Sequence, residues 1–71
     1  MIKLTKNLIS NIETTAEKLL HNMEDECLIE DSGEMKLVKE HSAKGRELME
    51  KEGAVIATYE AQGETFLISR I

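Results

Sequence analysis

Residues 54 to 71, AVIATYEAQGETFLISRI, form two strand-like runs on either side of a Gln-Gly pair, and no other stretch of the chain constrains its fold as tightly. A period of two places every second side chain on one face of a strand, and two such runs joined by two turn-forming residues make an antiparallel hairpin. With Gln62 and Gly63 as the loop, Tyr59 falls opposite Phe66 as a cross-strand aromatic pair. Val55, Ala57, Tyr59, Phe66 and Ile68 then share one face.

A different period governs the N-terminal third. Leu8, Ile12, Ala16, Leu19 and Met23 recur at three- and four-residue spacing with Ile9 and Leu20 flanking them, the pattern of an amphipathic helix with one buried stripe. Thr5 is a candidate N-cap, and Ser10 with Glu13 offers a second, capping-box start. The spacing predicts a helix from Thr5 to Met23. On its polar side Glu13, Glu17 and Glu24 fall at spacings of four and seven, so their carboxylates stand one above another.

Residues 26 to 40 admit two readings. CLIED and EMKLV can form two short strands around Ser32 and Gly33, with Leu28 opposite Leu37. Alternatively Asp31 caps a helix with Glu34 as its box partner, and that helix continues through the pairs Glu40/Lys44 and Glu47/Lys51. The helical reading is preferred here, although Gly45 inside it weakens it by about 1 kcal/mol relative to alanine. Gly53 then closes the element and the strand period begins.

With 71 residues and no linker, the chain is expected to form one domain over residues 1 to 71. The fold class is α+β: an amphipathic N-terminal helix, an acidic middle segment, a second helix and a C-terminal antiparallel β-hairpin. Tyr59 and Phe66 are the only aromatic residues, so the core rests on Leu, Ile, Val and Met. A domain of this size buries only about 60% of its unfolded surface, and with an exposed hairpin edge it is expected to form a homodimer.

Chemistry finds few footholds. Cys27 is the single cysteine and lies among carboxylates, which oppose the thiolate a nucleophile needs. His21 with Glu17 and Asp25 could approach a metal from one helix face, yet a histidine beside acids on a helix surface is the more economical reading. The loop Glu30, Asp31, Ser32, Gly33, Glu34 lacks the ligand alternation of an EF-hand, and none of the four glycines belongs to a phosphate-binding loop. No catalytic residue, metal or cofactor is therefore assigned, and the chain is expected not to be an enzyme. MIKLTKNLIS lacks a signal-peptide apolar region, and no apolar run approaches the roughly 20 residues of a membrane span, so a cytoplasmic protein is expected.

Charge is the most informative property left. The net charge of −5 lies entirely in residues 1 to 35, where eight acids oppose Lys3, Lys6 and Lys18; in residues 36 to 71 six bases balance six acids. Within EDECLIEDSGE, residues 24 to 34, there are six carboxylates and no base. Lys39, Lys44, Arg46 and Lys51 followed by the hairpin could be read as a recognition helix and wing. Glu40, Glu47, Glu50 and Glu52 interleave with them, however, whereas phosphate contact requires a net basic face, so direct nucleic-acid binding is not expected.

Glu13, Glu17, Glu24, Asp25, Glu26, Glu30, Asp31 and Glu34 form a candidate ridge that attracts a basic surface, with Lys18 a tolerated exception. Carboxylates one helical turn apart rise about 5.4 Å, the same order as the roughly 3.4 Å rise per phosphate of a DNA strand. In size, in EDECLIEDSGE continuing the carboxylates of ETTAEK, and in lacking a catalytic motif, the chain resembles the small acidic DNA-mimic inhibitors of bacteriophages. That resemblance implies a non-enzymatic inhibitor that occupies the DNA-binding surface of a basic protein, for example a histone-like nucleoid protein, and competes with DNA. The alternatives are a winged-helix-like transcriptional regulator, or a small adaptor or antitoxin-like protein whose acidic face serves only solvation.

Overall fold

The computed structural model describes residues 6 to 29 and 34 to 70. Along the chain run α1 (Lys6–Asn22), β1 (Glu26–Leu28), β2 (Met35–Lys39), α2 (Ala43–Glu50), β3 (Val55–Ala61) and β4 (Glu64–Arg70). The strands form one antiparallel sheet in the order β1-β2-β4-β3. Strands β2 and β3 thus run in the same direction with β4 inserted between them, and α2 is the crossover that this arrangement requires. The architecture is α+β, with the N-terminal helix and C-terminal strand pair expected from the sequence.

Alternation sorts the sheet into two faces. Cys27, Leu37, Phe66, Ile68, Ala57 and Tyr59 point to one face, where α1 adds Ile12, Ala16 and Leu19 and the chain after β1 adds Ile29; together they make the core. Thr15 is buried on the same helix, and its hydroxyl donates to the Asn11 carbonyl at 2.7 Å, so burial leaves it satisfied. Val38 and Leu67 point to the opposite face and are also fully buried. There α2 packs against β2 and brings Leu48 towards Lys36.

The hairpin takes the expected register: Tyr59 pairs with Phe66, their ring centroids 6.5 Å apart, and Ala61 pairs with Glu64. Gln62 and Gly63 both adopt positive φ, 52° and 77°, the combination that matches a two-residue turn to the twist of its strands. One detail departs from expectation. A bulge between Val55 and Ala57 sets Val55 opposite Ser69 while Ala57 stays opposite Ile68, so Val55 leaves the face it was assigned.

Among the described residues, the preferred helix over the middle segment is not formed before Ala43. Residues 35 to 39 are instead the strand β2, paired with β1 on one side and β4 on the other. The four-residue charge pairs favour a helix by only about 0.2–0.5 kcal/mol each, whereas the neighbours Leu37 and Val38 are buried on opposite faces, a gain of about 1.5–3 kcal/mol apiece. The strand reading was itself displaced by one residue: Cys27, not Leu28, faces Leu37, and Leu28 turns to the other face, where it is 61% exposed. The expected Thr5 and Asp31 caps and the Ser32-Gly33 turn lie outside the described residues. Ser10 sits inside α1, where its carbonyl accepts from the Thr14 hydroxyl.

Helix α1 ends in a Schellman turn, with the Glu24 N–H donating to the Leu19 carbonyl at 3.1 Å and Met23 in the left-handed region at φ 55°. Met23 was assigned to the buried stripe, but the turn carries it out of the helix and leaves it 86% exposed. A left-handed methionine with no packing to lose is a place for glycine. Met23→Gly is expected to stabilise the fold by about 0.5–1 kcal/mol, read as a melting temperature about 4 °C higher; a decrease would contradict the turn described here.

Candidate functional site

The acidic residues fall into three groups. Glu13 and Glu17 lie on the solvent side of α1, about one turn apart, because Ile12, Thr15, Ala16 and Leu19 claim the other side. Glu24 and Asp25 follow directly and are exposed. Their backbone is held at both ends: the Glu24 N–H bonds to the helix, and the Asp25 carbonyl accepts from the Lys39 N–H of β2 at 2.9 Å. Four carboxylates thus run along α1 and over its C-terminal turn on anchored backbone, and no ion pair engages them among the described residues.

Glu26 belongs elsewhere. One residue into β1, its side chain turns to the α2 face, where Oε1 lies 4.0 Å from Lys36 Nζ and Oε2 is buried without a partner. Glu34 is exposed but precedes β2, at the far end of the β1–β2 pair from Asp25. Glu30 and Asp31 lie outside the described residues. The eight-residue ridge read from the sequence is therefore represented, among the described residues, by the group Glu13, Glu17, Glu24 and Asp25, with Glu34 apart and Glu26 turned to the α2 face. Lys18 is exposed on α1, one residue beyond Glu17.

Beside this group the fold opens a groove that the sequence did not disclose. Glu17, Leu20 and His21 of α1 and Gln62 of the β3–β4 turn line a depression of about 440 Å³. Gln62 is more than forty residues from Glu17, so only the packing of α1 across the hairpin could reveal the pairing. No cluster of three metal-ligating side chains exists among the described residues, and no described helix is long and apolar enough to cross a membrane.

The placement of the acids on α1 is informative in itself. A helix presents partial negative charge at its C-terminus, so carboxylates there are disfavoured and bases favoured. Here the first turn of α1 holds no acid, the last turn holds only His21 as a base, and Glu24 and Asp25 sit just past the negative end.

The basic residues of α2 make a weaker site. Lys44 and Lys51 border a small depression with Lys36, but Glu47 shares it, and α2 follows β2 rather than a supporting helix, so the two-helix unit that docks a recognition helix is not built. Comparison with protein-family models, with curated proteins and with solved structures finds no match for this chain.

Proposed function

We propose that this protein is a non-enzymatic inhibitor that binds a basic, DNA-binding protein through the carboxylates on α1 and its C-terminal turn, and so competes with DNA. The observation that carries this reading is the exposed set Glu13, Glu17, Glu24 and Asp25, of which Glu24 and Asp25 sit on anchored backbone just past the end of a helix where charge of this sign is unfavourable for the fold. A surface that retains groups at some expense of stability fits a role in binding. The bacteriophage DNA mimics named above work in this way, and a basic groove that accepts phosphates spaced a few ångströms apart would accept this row of carboxylates. Glu34 stands apart from this set at the far end of the β1–β2 pair, and Glu26 serves the α2 face.

The test is a competition. A purified histone-like nucleoid protein is bound to fluorescent duplex DNA, and release of the duplex is followed by anisotropy as this protein is added. The wild-type chain is expected to displace DNA with an efficiency that falls as salt rises. The quadruple variant Glu13→Lys, Glu17→Lys, Glu24→Lys, Asp25→Lys is expected to lose at least about 100-fold in displacement. It should melt no lower than wild type, because the bases at positions 24 and 25 suit the negative end of α1 and those at positions 13 and 17 are solvent-exposed. If that variant displaces DNA as well as wild type, the acidic face is not the binding surface.

A further inference from the structure

The two edges of the sheet are protected very differently. Strand β1 is three residues long, preceded by Glu24 and Asp25 and beginning with Glu26, so it is both short and charged. Strand β3, at the other edge, is seven residues long, contains no proline and carries one charge, Glu60. We propose that β3 pairs antiparallel with β3 of a second copy across a twofold axis at Tyr59, making one continuous eight-stranded sheet.

The register follows from which peptide groups are free. In a two-residue hairpin the closing pair, Ala61 and Glu64, exchanges both hydrogen bonds, and so do the pairs two residues on, Tyr59/Phe66 and Ala57/Ile68. The peptide groups of Thr58 and Glu60 consequently point away from β4, towards the open edge. An axis at Glu60 would set this carboxylate against its own copy. An axis at Thr58 would draw on Ile56, which lies in the bulge between Val55 and Ala57. An axis at Tyr59 uses only Thr58 and Glu60, each opposite the other, for four hydrogen bonds, and no like charges face one another.

This register also sets Tyr59 opposite Tyr59 of the second copy in a non-hydrogen-bonded pair, where side chains approach most closely. The half-buried Tyr59 already stands beside Phe66, so the aromatic pair of each copy extends into a row of four rings across the interface. Antiparallel pairing about a twofold keeps equivalent faces on the same side, so both α1 helices lie on one side of the joint sheet. The inference stands apart from the competition with DNA: it concerns the edge, not the carboxylates.

Sedimentation equilibrium of the full chain over a wide concentration range is the test, with Cys27→Ser as the background for cross-linking. The expected mass is twice the monomer's 8.0 kDa. Thr58→Pro removes an outward N–H and no bond to β4, and is expected to yield a monomer with an unchanged circular dichroism spectrum. Under mild oxidation Tyr59→Cys is expected to cross-link the two copies, because Cα atoms of such a pair lie about 4.5 Å apart, within disulfide reach, whereas Glu60→Cys is not. A wild-type chain that stays monomeric at every concentration overturns the proposal. So does a dimer in which Tyr59→Cys fails to cross-link, whatever the fate of the proline variant.

Discussion

Phe66→Ala is expected to lose about 4 kcal/mol of stability, a large share of the roughly 4–11 kcal/mol that about 0.05–0.15 kcal/mol per residue gives a chain of this size. Phe66 is the largest fully buried side chain, and it lies on β4, which is paired on both sides. Tyr59 flanks it on β3, and the cluster it joins includes Ile12, Ala16 and Leu19 of α1. Alanine there leaves a cavity that two hydrogen-bonded neighbours keep from collapsing. Urea unfolding followed by circular dichroism is expected to place the variant's midpoint far below that of wild type, while Phe66→Leu, which keeps most of the volume, loses about 1 kcal/mol. A loss below about 1 kcal/mol for the alanine variant would mean that the core is centred elsewhere.

The second large effect has the opposite sign from what local propensity predicts. Alanine for glycine inside a helix ordinarily stabilises by about 1 kcal/mol, and on that ground Gly45 was a weakness of the second helix. In the fold, a Cβ at position 45 would collide with the carbonyl oxygens of Lys39 and Glu40. Only Glu40, His41 and Ser42 separate β2 from α2, so the helix must start pressed against the end of the strand. Ser42 holds it there: its hydroxyl donates to the Lys39 carbonyl at 2.7 Å and accepts from the Gly45 N–H at 3.0 Å. The obstructing atoms are backbone on both sides and cannot rotate aside. Gly45→Ala is therefore expected to lose about 3 kcal/mol, in the range of overpacked cores, and Lys44→Ala at an exposed neighbour almost nothing. A Gly45→Ala variant that unfolds at higher urea than wild type would refute this account of the β2–α2 junction.

How much of this was legible differs from element to element. The β3–β4 hairpin was readable to the register because period and turn lie in one short stretch, with Gln62 and Gly63 supplying the two positive φ values the loop needs. Helix α1 was readable from its stripe, apart from Met23, whose spacing fits the stripe although the chain has already left the helix. The middle segment was not. Met-Lys-Leu-Val-Lys is short and has two adjacent apolar residues, a pattern compatible with either period, and its strand character depends on β1 and β4 lying on its two sides. Gly45 was misread for the same reason: its role is set by carbonyls five and six residues back that only the tight junction brings near.

The acidic region divides in the same way. Sequence alone determined that the excess charge lies in the first half of the chain, and helical spacing placed Glu13 and Glu17 on one face, because both properties are local. Tertiary structure alone decided that Glu26 turns towards Lys36, that Glu34 stands at the far end of its strand pair, and that Gln62 closes a groove beside Glu17. The physical reason is that a side chain in a strand has only two directions, and which of them faces solvent depends on what covers each side of the sheet. In this chain α1 covers one face and α2 part of the other, a distribution fixed by contacts between distant segments rather than by any residue's own preference.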